Sequence, residues 1–315
     1  MKMRVELTPL LTLFTAPKPF TDPHIAVIQR NTLRNWKALG EMVQVVAVGD
    51  EPGIAEACQE LDLVHLPEVR CNAMGTPLIS SIFNLARGVN GSPFLVYANA
   101  DILFLPELIA QVRTLASEKD QFLGVGQRWD LDETEALSFS GDWAGRLRDR
   151  ACRDGQLHGQ TGSDYFIFPR RCFKEIPDFA VGRAGWDNWM IFWGRWQHWA
   201  VVDMTESLMT IHQNHGYAHL PGGVIHYQQP ETQDNVRLGG GRRTIFKLSD
   251  ATHEIVDGNL QNQTLDWSAF WREVELFPLI WLHSRILGWL SFALFHPTKA
   301  INEIRGWLAY KLKSR

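Results

Sequence analysis

The sequence predicts an α/β fold: a largely parallel sheet covered by helices on both faces. Three observations carry this. Short apolar runs alternate with helical stretches through the first hundred residues. The runs are nearly continuous in apolar residues, as strands buried on both faces are. Each is followed by a stretch with helical apolar spacing, long enough to return the chain for a parallel neighbour. At 315 residues, 45% apolar and 21% charged, the chain suits one large domain or two modest ones, and the composition excludes disordered, collagen-like and low-complexity classes.

Residues 10–15 read as the first strand; Lys2 and Arg4 precede it, but Glu6 and the shortness of the run argue against a secretory signal. Residues 24–39 read as a helix in which Ile25, Ile28, Trp36 and Leu39 share a face. Then come a buried strand at 43–48, a helix at 54–61, a short strand at 63–66, a helix at 77–86 and a strand at 93–97. Sheets of this kind bind ligands at the carboxyl ends of their strands, which directs attention to the loops after Thr15, Val48 and Tyr97. Beyond these, strands are expected at 122–126, 164–168 and 201–204, around a tryptophan-rich helix at 187–199, and this half of the chain would complete the sheet and supply the second wall of a cleft.

The plan is therefore a main domain over 1–230, a loop or lid over 231–262 with a mobile Gly239–Arg243 turn, and a helical extension over 263–315 interrupted at Pro278 and Pro297. Residues 276–295 are mostly apolar, but Arg285 near their middle would cost roughly 2.5–3.5 kcal/mol inside a bilayer. With Trp281, Trp289 and Trp307 and a basic segment following, peripheral contact at a membrane interface fits better than a span; a helical hairpin packed on the main domain fits equally.

Lysine and arginine total 31 against 35 for aspartate and glutamate, so the net charge of −4 gives no case for nucleic acid. Residues 298–315 alone carry +4. Cys58, Cys71, Cys152 and Cys172 lie far apart with no C-x-x-C pair, which disfavours a zinc ribbon or disulfide framework and points to a reducing, cytoplasmic setting or the cytoplasmic face of a membrane.

The most informative segment is Phe-Leu-Val-Tyr-Ala-Asn-Ala-Asp-Ile-Leu-Phe at 94–104, where an apolar strand runs into Asn99-x-Asp101. Oxygen ligands at a strand end suit Mg²⁺ or Mn²⁺, and a substrate diphosphate would complete the shell. Asn and Asp also cap turns, so the tripeptide alone is a weak signal.

In its order of motifs the chain resembles the nucleotide-sugar glycosyltransferases of the GT-A fold. The matching pieces are Thr15-Ala16-Pro17, Gly49-Asp50-Glu51, Asn99-Ala100-Asp101, Gly185-Trp186-Asp187-Asn188 and the segment from Ile211 to His219. The resemblance spans roughly residues 8–220 and implies a GT-A-like α/β fold with metal-dependent transfer of a sugar, with inversion, from a nucleotide-diphosphate sugar to a hydroxyl acceptor. That acceptor would be a glycan, a lipid-linked molecule or a small molecule. It further implies that Thr15, Ala16, Pro17, Asp50 and Asn99 hold the donor, and that Asp101, Asn99 and His212 hold Mn²⁺ or Mg²⁺. Asp187 would be the base, with Asp164 on the acceptor side. Asn99 departs from the aspartate common in the family, and an amide adds no charge to the cation site.

Local chemistry leaves competing readings open. Asp187 opens a helix and could be a plain cap, and a helix N-terminus lowers carboxylate basicity. His212, His215 and His219 could ligate, contact phosphate or acceptor, or bond to backbone in a loop. Trp186, Trp189, Trp193, Trp196 and Trp199 are mostly core by their spacing, with Trp186 a candidate for stacking on the acceptor sugar. A dehydrogenase is disfavoured because Thr-Ala-Pro-Lys-Pro-Phe stands where G-x-G-x-x-G should be. A nucleotidyltransferase would want a glycine-rich basic loop there. An inactive sugar- or nucleotide-binding scaffold is the remaining alternative.

Overall fold

The computed structural model describes residues 8–215, 229–264 and 266–313, with side chains to residue 306. Its centre is a nine-stranded sheet in the order β13-β12-β10-β6-β9-β4-β1-β2-β3. The strands are β1 (Leu11–Thr15), β2 (Val43–Val48), β3 (Val64–Leu66), β4 (Phe94–Ala98), β6 (Phe122–Val125), β9 (Tyr165–Pro169), β10 (Ala200–Asp203), β12 (His253–Val256) and β13 (Asn259–Asn262). All run parallel except β9 and β13. A four-stranded sheet, β5-β11-β7-β8, branches from it through β5 (Ile102–Phe104), β7 (Trp129–Leu131), β8 (Gln156–Leu157) and β11 (Thr210–Gln213).

Side chains alternate across the main sheet into two cores. Phe14, Leu95, Tyr97, Phe166 and Phe168 pack with α3 (Ile79–Gly88) and α6 (Trp186–Trp196); Leu11, Leu13, Val96, Ala98 and Ile167 pack with α1 (Pro23–Ala38) and α4 (Glu107–Glu118). The mostly parallel sheet flanked by helices, with a C-terminal helical extension, is the architecture expected.

Helix α1 buries an unusual set of polar residues, Gln29, Asn31, Thr32 and Asn35, and each has an assigned partner. Asn35 donates to the Phe104 carbonyl and accepts from the Phe104 amide, and the Trp36 indole donates to the Ile102 carbonyl. Gln213 donates to Ile28 O and Thr32 Oγ1 and accepts from Asn31. These bonds satisfy backbone and side-chain groups that burial would otherwise leave bare, and they clamp the small sheet to the large one.

Three expectations are corrected. The loop or lid over 231–262 folds as α7 (Pro230–Gly239), two 3₁₀ turns and the β12–β13 pair, which extends the main sheet past residue 230. Gly239–Arg243 is no free loop: Gly240 sits at φ +105° and caps α7, a conformation glycine adopts without strain. Pro278 lies inside α8 (Trp267–Ile280); the break comes later, where Ser284 caps α9 (Arg285–Phe295), and Pro297 opens α10 (Pro297–Lys313). Among the described residues no helix is long and apolar enough to cross a membrane.

Candidate active site

Strand order reverses between β1 and β4, and at such a switch point the loops leaving the two strands diverge and leave a crevice. One wall is the chain after Thr15, the other the turn after Ala98. Gln29 fixes the first by accepting from the Lys18 amide at 2.6 Å and donating to the Lys18 carbonyl at 2.9 Å. The hydroxyl of Thr15 is buried there without a hydrogen-bond partner among the described residues.

On the other wall a tight turn, closed by the Ile102 amide on the Asn99 carbonyl at 3.1 Å, separates Asn99 from Asp101. Asn99 turns its amide to Asp164 Oδ1 at 2.7 Å and accepts from the Tyr97 hydroxyl at 3.3 Å. Asp101 goes the other way, to the histidines: His215 Nε2 donates to Asp101 Oδ2 at 3.0 Å, and His212 Nε2 lies 3.9 Å from the same oxygen. The ligand atoms of Asp101, His212 and His215 all lie within 4.8 Å of one another.

The small sheet builds this cluster. Strand β11 runs parallel to β7 with His212 opposite Asp130, and antiparallel to β5 with His212 opposite Ile102, the residue after Asp101. Cross-strand neighbours point to the same side, so His212 Nδ1 donates to Asp130 Oδ1 at 3.0 Å. A carboxylate only accepts, so this bond fixes the tautomer and leaves Nε2 bare toward Asp101. Asp130 also accepts from Arg128 at 2.9 Å and His158 at 2.8 Å; Arg128 in turn pairs with Asp164. Asn99, Asp164, Arg128, Asp130 and His212 thus form one continuous polar chain.

Electrostatics favour an anionic Asp101. Burial opposes its charge, yet the His215 hydrogen bond and the nearby His212 and Lys18 outweigh burial and hold the carboxyl below the usual carboxylate range. Burial lowers the Lys18 ammonium while Asp101 pulls it back up. Burial likewise opposes ionisation of Asp130, and its bonds from His212, Arg128 and His158 prevail.

The residues fit a divalent cation. Asp101 Oδ1 is buried with no hydrogen-bond partner among the described residues, a costly arrangement for a carboxylate oxygen unless something occupies the space before it. Two imidazoles and one carboxylate are ligand types that divalent cations take.

The remaining expected residues are distributed as follows. Ala16 and Pro17 line the chain after β1, Pro17 buried, and Asp50 is exposed on the turn after β2, the strand beside β1. Asp187 lies in the first turn of α6, which starts at Gly185 with φ +103°. It accepts from the Gly185 amide at 3.1 Å, with the Ser163 amide next to Asp164 also bonding to it. Burial outweighs these amides and raises its pKa, against the lowering expected from a helix N-terminus alone.

One assignment does not hold. Trp186 is 5% exposed and packs edge-on to Tyr97 at 5.2 Å and against Phe166 at 5.4 Å, so its ring belongs to the core and no face is free for a sugar. Asp164 accepts from Asn99 on one oxygen and pairs with Arg128 through the other, and its carboxylate keeps lone pairs for a further donor. His219 lies outside the described residues. Lys18, Arg128 and Asp130 were missed: a lysine between two prolines after the first strand was a legible signal, but nothing local marks Asp130.

No protein-family model and no curated protein matches the chain. Solved structures similar to it include glucosyl-3-phosphoglycerate synthase from Mycobacterium tuberculosis in complex with Mn²⁺, UDP and glucosyl-3-phosphoglycerate, at 12% identity and a TM-score of 0.43, covering 82% of this chain and 88% of that one. A mannosyltransferase from Pyrobaculum calidifontis with GDP-mannose and Mn²⁺ matches at 14% identity and a TM-score of 0.41, covering 68% of this chain and 59% of that one. A 4-diphosphocytidyl-2C-methyl-D-erythritol synthase from Anaerococcus prevotii matches at 7% identity and a TM-score of 0.31, covering 53% and 74%.

Proposed function

We propose that the chain is a divalent-cation-dependent glycosyltransferase that moves a hexosyl group from a nucleotide-diphosphate sugar to a hydroxyl acceptor with inversion. The observation that carries this reading is the Asp101–His212–His215 cluster, with one carboxylate oxygen that has no partner among the described residues, at the switch point of a mostly parallel sheet. These three residues would hold Mn²⁺ in preference to Mg²⁺, and the bound ion would stabilise the charge that builds up on a departing diphosphate.

The chain's own residues do the rest. Thr15, Ala16, Pro17 and Asp50 receive the nucleoside along the ends of β1 and β2. Lys18 adds a positive charge beside Asp101 for the diphosphate. Asp130 keeps His212 in the tautomer that leaves Nε2 free, and Asn99 supports the site through Asp164 and Arg128. Asp187 takes the proton of the attacking hydroxyl, and the raised pKa that burial gives it makes it a stronger base than an exposed aspartate.

The test is release of free sugar from UDP-, GDP- and dTDP-sugars by the purified protein, with Mn²⁺, Mg²⁺ or EDTA. Manganese-dependent turnover that is absent in Asp101→Asn supports the reading. Turnover unaffected by EDTA, or pyrophosphate release from a nucleoside triphosphate and a sugar phosphate, overturns it.

A further inference from the structure

Seventeen large hydrophobic side chains are exposed among the described residues, and thirteen of them lie between Trp267 and Ile304. So heavy a concentration in one appendage marks a surface that meets something. On α8, Trp267, Phe270, Trp271, Val274 and Phe277, continued by Trp281 just past its end, recur at three- and four-residue steps and form one stripe. The opposite side of the helix buries Leu276, Leu279 and Ile280 in the main core. The charges of α8 are turned away from the stripe: Arg272 pairs with Asp250 at 2.8 Å and Glu273 with Arg195 at 2.7 Å.

On α9, Ile286, Leu287, Leu290 and Leu294 make a second exposed arc. Gly288 permits the close approach of the two helices, since a Cβ there would stand 2.9 Å from the Leu279 Cβ. The Trp271 and Phe295 rings meet at 6.0 Å, so the stripe of α8 reaches the end of α9. Arg243 ties the appendage down, pairing with Glu303 at 2.7 Å and lying over the Phe292 ring.

We propose that α8, α9 and α10 seat the protein on the surface of an anionic phospholipid bilayer, with the apolar stripe in the interface and the basic C-terminal segment on the headgroups. Charge selects this occupant. Residues 298–315 carry +4 on a chain whose net charge is −4, and Lys299 and Arg305 are exposed. Anionic headgroups neutralise these charges. The three tryptophans of the stripe have the amphipathic ring that settles at headgroup level. A groove of about 780 Å³ lined by Arg242, Trp289, Lys299, Asn302, Glu303 and Ile304 sets two cations beside an apolar wall, with the Glu303 carboxylate 3.9 Å from Arg242. Among the described residues no helix is long and apolar enough to cross, and the contact proposed is peripheral. This inference does not depend on the sugar-transfer reading.

The experiment is flotation of the full chain with vesicles of phosphatidylcholine alone or with added phosphatidylglycerol. Truncation at residue 265 would strip Leu276, Leu279 and Ile280 from the core, so exposed positions are substituted instead. The wild-type protein floats with anionic vesicles, less so as salt rises, and brominated lipid quenches its tryptophan emission. Trp267→Ser with Phe277→Ser weakens partitioning about ten-fold or more, and Lys299→Ala and Arg305→Ala about five-fold each. Circular dichroism and the melting temperature of the variants stay at wild-type values. Failure to float with anionic vesicles, wild-type binding by the Trp267/Phe277 variant, or a dimer in light scattering that this variant splits, each overturns the proposal. Sugar release in lipid-free solution reads the other proposal separately.

Discussion

Asp130 does not belong to the three-residue cluster, yet the structure makes cation binding depend on it. Replacing Asp130 with Asn keeps its volume and removes its charge. The carboxylate accepts from His212 at 3.0 Å, Arg128 at 2.9 Å and His158 at 2.8 Å. An amide has one oxygen in place of two and turns an N–H₂ toward at least one of those donors. The amide oxygen can still accept from His212 in the place of Oδ1, but as a neutral acceptor it holds the Nδ1–H less strongly, so Nε2 is held less firmly toward Asp101. Partners of this kind typically contribute ten- to hundred-fold in metal affinity, about 1.4–2.8 kcal/mol. The assay is calorimetric titration of Mn²⁺ into wild type and Asp130→Asn near neutral pH, with melting temperatures to establish folding. A folded Asp130→Asn protein that binds Mn²⁺ like wild type, while Asp101→Asn does not bind it, would refute the role given to the Asp130–His212 bond.

Four further outcomes are expected. His215→Ala should weaken Mn²⁺ binding more than Asn99→Ala, since His215 reaches Asp101 while the Asn99 amide is committed to Asp164; the same titration decides it. Mn²⁺ should bind more tightly than Mg²⁺ in direct competition, because two of the three ligands are imidazoles. Burial raises the Asp187 pKa above its unfolded value, so its ionised form costs stability once pH rises through the folded pKa. Asp187→Asn should abolish sugar transfer in a protein that stays folded, as its circular dichroism would show; wild-type stability should improve as pH falls through that value. Gly194→Ala should destabilise the fold by about 1–3 kcal/mol in urea unfolding, because its Cβ would stand 2.9 Å from Val201 where α6 crosses the sheet.

The sheet was legible because each of its early strands is a local pattern: an apolar run followed by a helix whose own spacing declares it. The same locality made Asp101 visible, as a carboxylate directly after a strand. It misled at Asn99. Two residues apart along a strand means the same side, but the chain turns between Asn99 and Asp101, and the turn sends one to Asp164 and the other to the histidines. The lid reading of 231–262 failed for a related reason, since the β12 and β13 segments are marked as strands by the edge they join more than by their own composition.

The sequence by itself determined the layered α/β architecture, the strand-end carboxylate and the apolar character of the C-terminal helices. Tertiary structure alone decided which groups surround that carboxylate. Asp101, Asp130 and His212 come from distant parts of the chain and meet because β5, β7 and β11 pair in one register. A shift of one residue would turn every side chain of β11 to the other face. Register depends on how α1 clamps the small sheet through Asn31, Asn35 and Gln213, bonds made across separations that no local pattern records.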